Sequence, residues 1–361
     1  MHVTLQDVAR LAKVSSKTVS RVVNNQGEIS ESTRRRVQQA IEQLGYRPNF
    51  LARSLVSQRS STLGVVASGL NYYGPSSTLT GIEQQTYDLG YSLLFSLLPH
   101  SDETNVFPIL DSFIARRVDG IIWAVPEIGI NRAWIQPEAL NDLPPIVFLT
   151  MEPKPGLSVV VVDNKSGAMK ATQHLIDLGK RNIGVITGPM AWWEARERTN
   201  GYMEVMQKAN LTVDPAQVGE GDWTASGGKK AMKKLLEQYP QMDAVFACND
   251  EMALGALGVA HQLGIKIPQD IAFVGFDNMP ESDCFWPPLS TVEQHLSDVG
   301  AIAVQILQKL IEARQQGQED LNTEVRLLEA ELVIRESSIG LPSGESLKSV
   351  EANFLKVNSP D

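Results

Sequence analysis

The sequence predicts a small all-α head followed by a larger, two-lobed α/β body built on doubly wound parallel sheets. Three observations support this fold class. Apolar residues recur at helical spacing in the first 45 residues, and from Leu63 onward short apolar strands alternate with helical segments. Charge is also divided unevenly along the chain, as expected for two parts with different partners. A chain of 361 residues is long enough for two or three domains.

The head opens with two short helices joined by a tight turn. Thr4 is the predicted N-cap of the first helix, with Asp7 as its capping-box partner. The chain turns at Ala12–Val14, and Ser15 is the predicted N-cap of the second helix. The apolar face of the first helix would comprise Leu5, Val8, Ala9 and Leu11. The buried stripe of the second would comprise Val19, Val22 and Val23.

The second helix leaves a polar and cationic surface near its N-terminus. This surface comprises Ser16, Lys17, Thr18, Ser20 and Arg21. Such side chains reach base edges and phosphates in the major groove, so the two helices predict a helix-turn-helix DNA-binding module. The alternative is a small helical hairpin with a solvated face. A third helix is expected to begin at Ser30–Thr33 and to end at Gly45. Its core face would comprise Val37, Ala40, Ile41 and Leu44.

The charge distribution separates the head from the rest of the chain. Residues 1–60 carry ten Lys or Arg residues and four acidic residues, a net charge of +6. The whole chain carries −10, so the remainder sums to −16. A basic head on an acidic body is typical of a DNA-binding protein with a separate sensing domain.

Several classes of protein are disfavoured by features that the sequence lacks. The two cysteines, Cys248 and Cys284, lie in apolar segments and indicate reduced, buried thiols and not a disulfide framework. The N-terminus has no apolar signal-peptide core and no run of 18 apolar residues exists, so we expect a cytoplasmic protein that is not in a membrane. Gly227–Lys230 does not fit a P-loop, and no HExxH or GxGxxG motif is present. We therefore expect no catalytic residues, no cofactor and no metal.

From residue 63 the pattern is that of a parallel α/β protein. Strands are predicted at 63–68, 91–98, 118–125, 144–150, 157–164, 182–188, 243–250 and 270–278. Helices are predicted at 76–89, 103–117, 168–178, 194–209, 226–237, 252–263 and 298–313. Two consecutive rounds of this alternation predict two lobes with a cleft between them. Ligands of such folds bind beyond the carboxyl ends of the strands.

A series of motifs resembles the lactose repressor/galactose repressor family of bacterial transcription regulators. In order, they include DVARLAKVSSKTVSRVVN, TRRRVQQAIEQLGYRPN, LARSL, GPMAWWEARERTNGY, CNDEMALGAL, DIAFVGFDN and PPLSTVEQ. The resemblance covers about Thr4 to Ser337. It implies a periplasmic-binding-protein-like body whose chain crosses between the lobes at three points. Thr150–Lys165 and Pro288–His295 are expected to contain crossings.

The resemblance also implies how operator DNA is bound. A hinge helix at Asn49–Ser57 would pair with that of a second subunit, and Leu55 would wedge into the minor groove. A plain linker is the alternative for this segment. We expect a homodimer, because one small module buries little surface on DNA. The predicted DNA contacts are Thr4, Ser15, Ser16, Lys17, Thr18, Ser20, Arg21, Asn24, Asn49, Ala52 and Leu55.

Candidates for the cleft follow from side-chain chemistry and from matching positions of the family. Asp277 can accept hydroxyl hydrogen bonds, Arg198 offers a fork of donors, and Trp223 offers a flat face to a sugar ring. We expect Arg198 and Asp277 to hold a ligand from opposite sides, whereas Asp250 is expected only to cap a helix. The alternatives are a surface ion pair for Arg198 and a core position for Trp223. The predicted ligand site comprises Tyr72, Pro75, Thr150, Arg198, Trp223, Asn249, Asp277 and Gln294.

The chain departs from the lactose repressor at two positions of the expected cleft. Thr150 stands where that protein has an aspartate, and Tyr72 where it has a leucine, which disfavours lactose and leaves other sugars open. The sequence thus predicts a repressor of carbohydrate-utilisation genes that a small sugar releases from its operator. The alternatives are a purine- or nucleoside-responsive or corepressor-dependent regulator of the same fold, and a free periplasmic-type sugar-binding protein.

The predicted domain boundaries follow from these assignments. The head would span 1–47, the hinge helix and linker 48–61, the ligand-binding and dimerisation domain 62–337, and a disordered tail 338–361.

Overall fold

The computed structural model describes residues 3–23, 27–46, 59–98, 100, 105–136, 139–140, 142–318 and 322–339. The chain divides into two compact units, Met1–Ser61 and Thr62–Asp361. Within the described ranges, no helix is long and apolar enough to cross a membrane.

The described residues of the first unit form three helices, as predicted. They are α1 (Leu5–Ala12), α2 (Ser16–Val23) and α3 (Glu31–Leu44). Gly45 ends α3 at a φ of 61°, in the left-handed region that glycine adopts without a Cβ penalty. The core of this unit comprises Val8, Ala9, Ala12, Val19, Val22, Val37 and Ala40.

The predicted apolar face of α1 is wrong at one position. Leu11 is 42% exposed, and Ala12 is buried in its place. The helix continues through Ala12, where a turn was expected. Ala12 follows Val8 by four residues, so both side chains lie on the same face of the helix.

The second unit alternates strands and helices along most of its length. Its strands are β1 (Thr62–Ala67), β2 (Ser92–Leu97), β3 (Gly120–Ala124), β4 (Ile146–Leu149), β5 (Ser158–Val162), β6 (Ile183–Thr187), β7 (Val218–Glu220), β8 (Ala244–Ala247), β9 (Ala272–Val274), β10 (Thr291–Glu293), β11 (Val325–Leu328) and β12 (Glu331–Val333). Its helices are α4 (Tyr73–Asp88), α5 (Phe107–Ala115), α6 (Asn164–Asp177), α7 (Trp193–Lys208), α8 (Ala225–Gln238), α9 (Asp250–Gln262), α10 (Leu296–Gln315) and α11 (Glu336–Ile339).

These elements form two lobes, each built on a parallel sheet. The sheet of the first lobe has the strand order β11-β5-β4-β3-β1-β2, and that of the second lobe has the order β7-β6-β8-β9. The strands β10 and β12 form a separate antiparallel pair. The chain passes between the lobes near Asp163, Gln294 and Glu329, which agrees with the three crossings that the resemblance implies.

Several boundaries differ from those predicted. The strands β7, β10, β11 and β12 were not predicted, because each is short and lies outside a longer apolar run of the kind that contains β4, β8 and β9. The helix expected from Glu103 begins at Phe107, and residues 101–104 lie outside the described ranges. The tail was expected to begin at Ser338, but this residue belongs to α11 and is buried. Its hydroxyl lies 2.8 Å from Nε2 of His174, so the body extends through at least Ile339.

The expectation of two buried thiols is wrong for one cysteine. Cys248 is buried, whereas Cys284 is exposed.

Candidate functional site

The surface of α2 carries the predicted DNA-reading residues. Ser16, Lys17 and Arg21 are exposed, and Thr18 and Ser20 are half-buried. Val19 and Val22 are buried on the opposite face, which fixes the orientation of the helix in the head. The amphipathic pattern therefore leaves two cations and a hydroxyl on a solvated face, as contact with a DNA groove requires. The predicted contacts Asn24, Asn49, Ala52 and Leu55 lie outside the described residues.

Two of the predicted DNA-contact residues, Thr4 and Ser15, bond amides in the first turns of α1 and α2. The Thr4 hydroxyl donates to Oδ2 of Asp7 at 2.7 Å and accepts from the Asp7 amide at 3.4 Å, which confirms the predicted capping box. The Ser15 hydroxyl accepts from the Thr18 amide at 3.1 Å and lies 2.9 Å from the Thr18 hydroxyl. These hydroxyls thus orient α1 and α2, and their contact with DNA stays a prediction.

The structure places all eight predicted ligand residues around one cavity between the two lobes. The cavity has an empty volume of about 740 Å³, including the part open to solvent. Other residues line it that the predicted set does not include, among them Tyr73, Asn164, Trp192, Trp193 and Glu194.

A buried ion pair stands at the second-lobe side of this cavity. Arg198, on α7, lies 3.4 Å from Oδ1 of Asp277, and both side chains are 7% exposed. Arg198 also donates to Oδ1 of Asn164 at 2.7 Å, to Oε1 of Gln294 at 3.2 Å and to the Cys248 carbonyl oxygen. Gln294 in turn donates to Oδ1 of Asp277. Arg198 and Asp277 therefore lie side by side, and not on opposite sides of the cavity as expected, while their contact with a ligand stays a prediction.

Burial and charge act on Asp277 in opposite directions. Removal from water raises the pKa of this carboxyl to about 8, although the nearby Arg198 guanidinium lowers it. The network occupies Oδ1 of Asp277 with two donors. A ligand at this end of the cavity therefore meets a polar cluster that is already internally bonded.

The helix α9 is capped by Asn249 and not by Asp250, to which the sequence assigned that role. Asn249 is the N-cap of α9: its Oδ1 accepts from the Met252 amide at 2.9 Å, and its Nδ2 donates to the Trp223 carbonyl at 3.0 Å. Asp250 does not cap the helix. Its carboxylate instead accepts from the Ser282 hydroxyl at 2.6 Å, from the Thr291 hydroxyl and from the Met279 amide. This buried network ties α9 to the segments that follow β9 and lead into β10.

Aromatic side chains form one wall of the cavity. The ring centroids of Tyr72 and Trp192 are 5.9 Å apart, and those of Trp192 and Trp223 are also 5.9 Å apart, both in edge-to-face geometry. The Arg198 guanidinium lies over Trp223 at 5.5 Å from the ring centroid. Trp223 fits here because Gly188 lacks a Cβ that would overlap the indole. One face of Trp223 is therefore already covered, which reduces the stacking surface expected for a sugar.

The first-lobe candidates Thr150 and Pro75 reach the cavity in different ways. Thr150 follows β4, and its hydroxyl donates to the Val125 carbonyl at 3.1 Å. Pro75 lies in the first turn of α4, which begins three residues before the predicted start at residue 76. Proline is tolerated there because the first amides of a helix have no partner within it.

Glu194 is the charged residue of the cavity that sequence reasoning missed. It lies four residues before Arg198 on α7, and this spacing places both on one face of the helix. That spacing is the signal that could have identified it. In the described part of the chain, no cluster of His, Cys, Asp and Glu side chains could hold a metal ion.

Comparison with known proteins agrees with both units. Residues 4–49 match the family described as bacterial regulatory proteins, lacI family, and residues 172–338 match the periplasmic binding protein-like domain. The chain is 35% identical over 309 residues to the ribose operon repressor of Escherichia coli K12, which covers 84% of this chain and 92% of that protein.

Two solved structures resemble the whole chain. The Lac repressor dimer bound to operator and the anti-inducer ONPF is 30% identical with a TM-score of 0.82, over 94% of this chain and 100% of that chain. The complex of the transcriptional regulator CelR with cellobiose is 30% identical with a TM-score of 0.68, over 93% of this chain and 100% of that chain.

Proposed function

The chain belongs to the lacI family of bacterial regulatory proteins, and on that premise we propose that it represses carbohydrate-utilisation genes and is released from its operator by a small sugar. The protein is a sequence-specific DNA-binding transcriptional regulator that acts as a homodimer with a small-molecule effector. Its relatives are regulators, which supports a protein without catalytic activity, and we place it in the cytoplasm, where the DNA is.

One observation supports the placement of the effector site in the cavity between the lobes. Eight residues chosen from sequence lie around the same cavity, although they are scattered from Tyr72 to Gln294 along the chain. The cavity combines an aromatic wall with a polar cluster centred on Arg198 and Asp277. This combination suits a sugar, whose C–H faces pack on aromatic rings and whose hydroxyls need polar partners. The relative CelR was solved with cellobiose, which supports the same class of ligand.

DNA recognition is assigned to the exposed face of α2. Ser16 and Lys17 would select the operator sequence, and Arg21 would contact a guanine or a phosphate. Two heads of a dimer would read two half-sites about one helical turn apart or more. The structure of the Lac repressor dimer on its operator supports this arrangement.

Release follows from linkage between the two binding sites. If the effector binds the closed form of the lobes and the operator prefers another form, each of them lowers the protein's affinity for the other by the same factor. The coupling is typically about 1–3 kcal/mol. A purine- or nucleoside-responsive or corepressor-dependent regulator is the alternative within the family. A free periplasmic-type binding protein is disfavoured by the head that matches the lacI family at residues 4–49.

The test measures operator affinity with and without the effector. Thermal shift with D-ribose, D-glucose, cellobiose and adenosine identifies a binder, since a ligand of the folded state raises Tm by mass action. A sugar that binds should weaken the complex with a selected operator by about 5- to 150-fold. Asp277→Asn should abolish this response while the operator is still bound, and exposed Asp177→Asn should respond as wild type. Adenosine as the sole binder would favour the nucleoside alternative, and a tighter operator complex would identify a corepressor.

A further inference from the structure

The second lobe carries a surface groove that shares no lining residue with the cavity between the lobes. The groove has an empty volume of about 1040 Å³, including the part open to solvent. Its walls come from the end of α9 and the loop that follows, from the segment before β10, and from α11. We call it the α11 groove. Its apolar lining residues are Ile265, Ile267, Pro268, Trp286, Pro287 and Ile339.

Large apolar side chains of the α11 groove are left open to solvent. Trp286 is 67% exposed and Ile339 is 52% exposed. A single exposed apolar side chain is common on a protein surface, whereas several in one groove form a patch of the kind that marks an interaction site. The groove therefore calls for an occupant.

The described part of the chain ends at this groove. The helix α11 is fastened to the second lobe, because the Ser337 hydroxyl donates to the Phe273 carbonyl at 2.7 Å. Ile339, the last residue of α11, lines the groove, and residues 340–361 follow it outside the described ranges. Since one residue spans at most about 3.6 Å, the Cα of Leu341 lies within about 7 Å of the Cα of Ile339. Covalent geometry thus keeps the start of the tail beside the groove.

This attachment favours the tail over a separate molecule as the occupant. A segment joined to its site by a short linker has an effective concentration in the mM range. A Kd near 1 mM, too weak to hold a separate partner, is then enough to keep the groove mostly filled. A free protein would need a comparable concentration or a much lower Kd to displace the tail.

Residues 341–348, with the sequence LPSGESLK, suit the apolar part of the groove. Leu341 and Leu347 supply two large apolar side chains. Pro342 restricts the backbone between them, which lowers the conformational entropy that docking removes. The segment therefore offers apolar area at a reduced entropic cost.

Charge does not oppose the contact. The lining of the groove includes one side chain of each sign, Lys266 and Glu336, and none of the ion pairs among the described residues includes either of them. The segment also carries one charge of each sign, on Glu345 and Lys348. Exposed ion pairs contribute little, so the leucines supply most of the attraction and the charges only permit it.

We propose that residues 341–348 dock into the α11 groove of their own chain, where Leu341 and Leu347 cover Trp286 and Ile339. The tail then shields an apolar patch that would otherwise be open to other molecules. The groove and the effector cavity have no lining residue in common, so this inference does not depend on the proposed function.

Hydroxyl-radical footprinting of the full-length protein tests the docking, because the oxidation rate of Trp286 reports on its exposure. In Leu341→Ser/Leu347→Ser, Trp286 should be oxidised about three- to tenfold faster than in wild type. This factor is expected for an effective concentration of about 2–9 mM and a Kd of about 1 mM. Leu355→Ser is the matched control, since it makes the same substitution seven residues beyond the segment, and it should leave the rate unchanged.

A photoreactive side chain identifies where the segment lies. After illumination, p-benzoylphenylalanine in place of Leu341 should link to a peptide that contains residues 263–269 or 284–288. A link within one chain leaves the mass on a denaturing gel unchanged, whereas a link to a second copy doubles it. A link at twice the chain mass would overturn docking within the same chain.

Equal oxidation of Trp286 in wild type and in Leu341→Ser/Leu347→Ser would also overturn the inference. Fast oxidation in both would show that the groove is empty. Slow oxidation in both would show that another molecule covers it, and a rate that depends on protein concentration would identify a second copy. Faster oxidation in Leu355→Ser, at the level of the double variant, would refute the assignment to residues 341–348.

Discussion

Three residues of the cavity adopt backbone angles that L-amino acids rarely adopt. Thr150 has a φ of 51°, Trp223 of 68° and Asp277 of 123°. Each such residue costs of the order of 1–3 kcal/mol, which the surrounding structure must offset. The Asp277 amide, for example, donates to the Val292 carbonyl at 2.8 Å. All three residues line the cavity, so these uncommon backbone angles occur at the candidate ligand site.

At the same scale, Arg21 tests the assignment of the DNA-reading surface. Arg21→Ala should weaken binding to a selected operator by roughly 1–3 kcal/mol if the guanidinium reads a base. The side chain is exposed, so the fold of the head should be unchanged by circular dichroism. Arg35→Ala on α3 is the control, since Arg35 forms an exposed ion pair with Glu31 at 3.2 Å. Equal operator affinity of Arg21→Ala and wild type in mobility-shift titrations would refute the assignment.

Among the elements, the contact between α4 and α10 depends on glycine. A Cβ at Gly81 of α4 would overlap the Ser297 carbonyl of α10, and a Cβ at Gly300 of α10 would overlap the Thr78 carbonyl of α4. The two helices therefore approach with backbone against backbone. This close approach seats α10 on the first lobe, beside the cavity residues Leu296 and Val299 at its start.

Replacement of two helical glycines should have opposite effects on stability. Gly81→Ala should destabilise the body by about 1–3 kcal/mol, because the added methyl group forces α4 and α10 apart. Gly258→Ala on α9 should instead stabilise it by roughly 0.5–1 kcal/mol, because its Cβ meets no atom within 4 Å and alanine is the better helix former. Thermal unfolding of both variants measures the difference. A stabilised Gly81→Ala variant would show that the helices can separate without cost.

At the scale of the whole body, residues at the start of α7 form hydrogen bonds with the first lobe and pack against it. The Trp193 amide donates to the Glu127 carbonyl at 3.0 Å, and Gly129 donates to the Ala191 carbonyl at 3.3 Å. The Trp193 side chain is 8% exposed and joins a core cluster whose other buried members all belong to the first lobe. We call residues 127–129 and 191–193 the clasp. It lies next to Glu194, so lobe closure and the position of that carboxyl are linked.

Loss of the Trp193 side chain should favour separated lobes. Trp193→Ala should weaken binding of the effector found by thermal shift by about tenfold or more, because closure loses the burial of one indole between the lobes. Trp193→Phe should retain most of the affinity, since an aromatic ring still fills the first-lobe core. Calorimetric titration gives the affinities, and thermal unfolding checks that both lobes remain folded. Unchanged affinity in Trp193→Ala would mean that the clasp does not contribute to closure.

The sequence by itself determined what depends on neighbours along the chain. Capping of α1 by Thr4, the buried valines of α2 and the alternation of strands and helices follow from residue types at spacings of two to four. The candidate cavity residues were likewise reached from strand ends and from the family resemblance. A prediction failed where two adjacent residues could each serve as the N-cap of a helix. Asn249 caps α9, and Asp250 does not.

Only the tertiary structure decided which polar groups satisfy each other. Arg198 and Asp277 are 79 residues apart, and no local pattern shows that they pair and leave Oε2 of Glu194 without a partner among the described residues. No local pattern shows either that the Trp193 side chain packs in the core of the first lobe although α7 belongs to the second. The physical reason is that helix faces and caps are set by short-range geometry, whereas hydrogen bonds inside a cleft depend on the folding of two lobes toward each other.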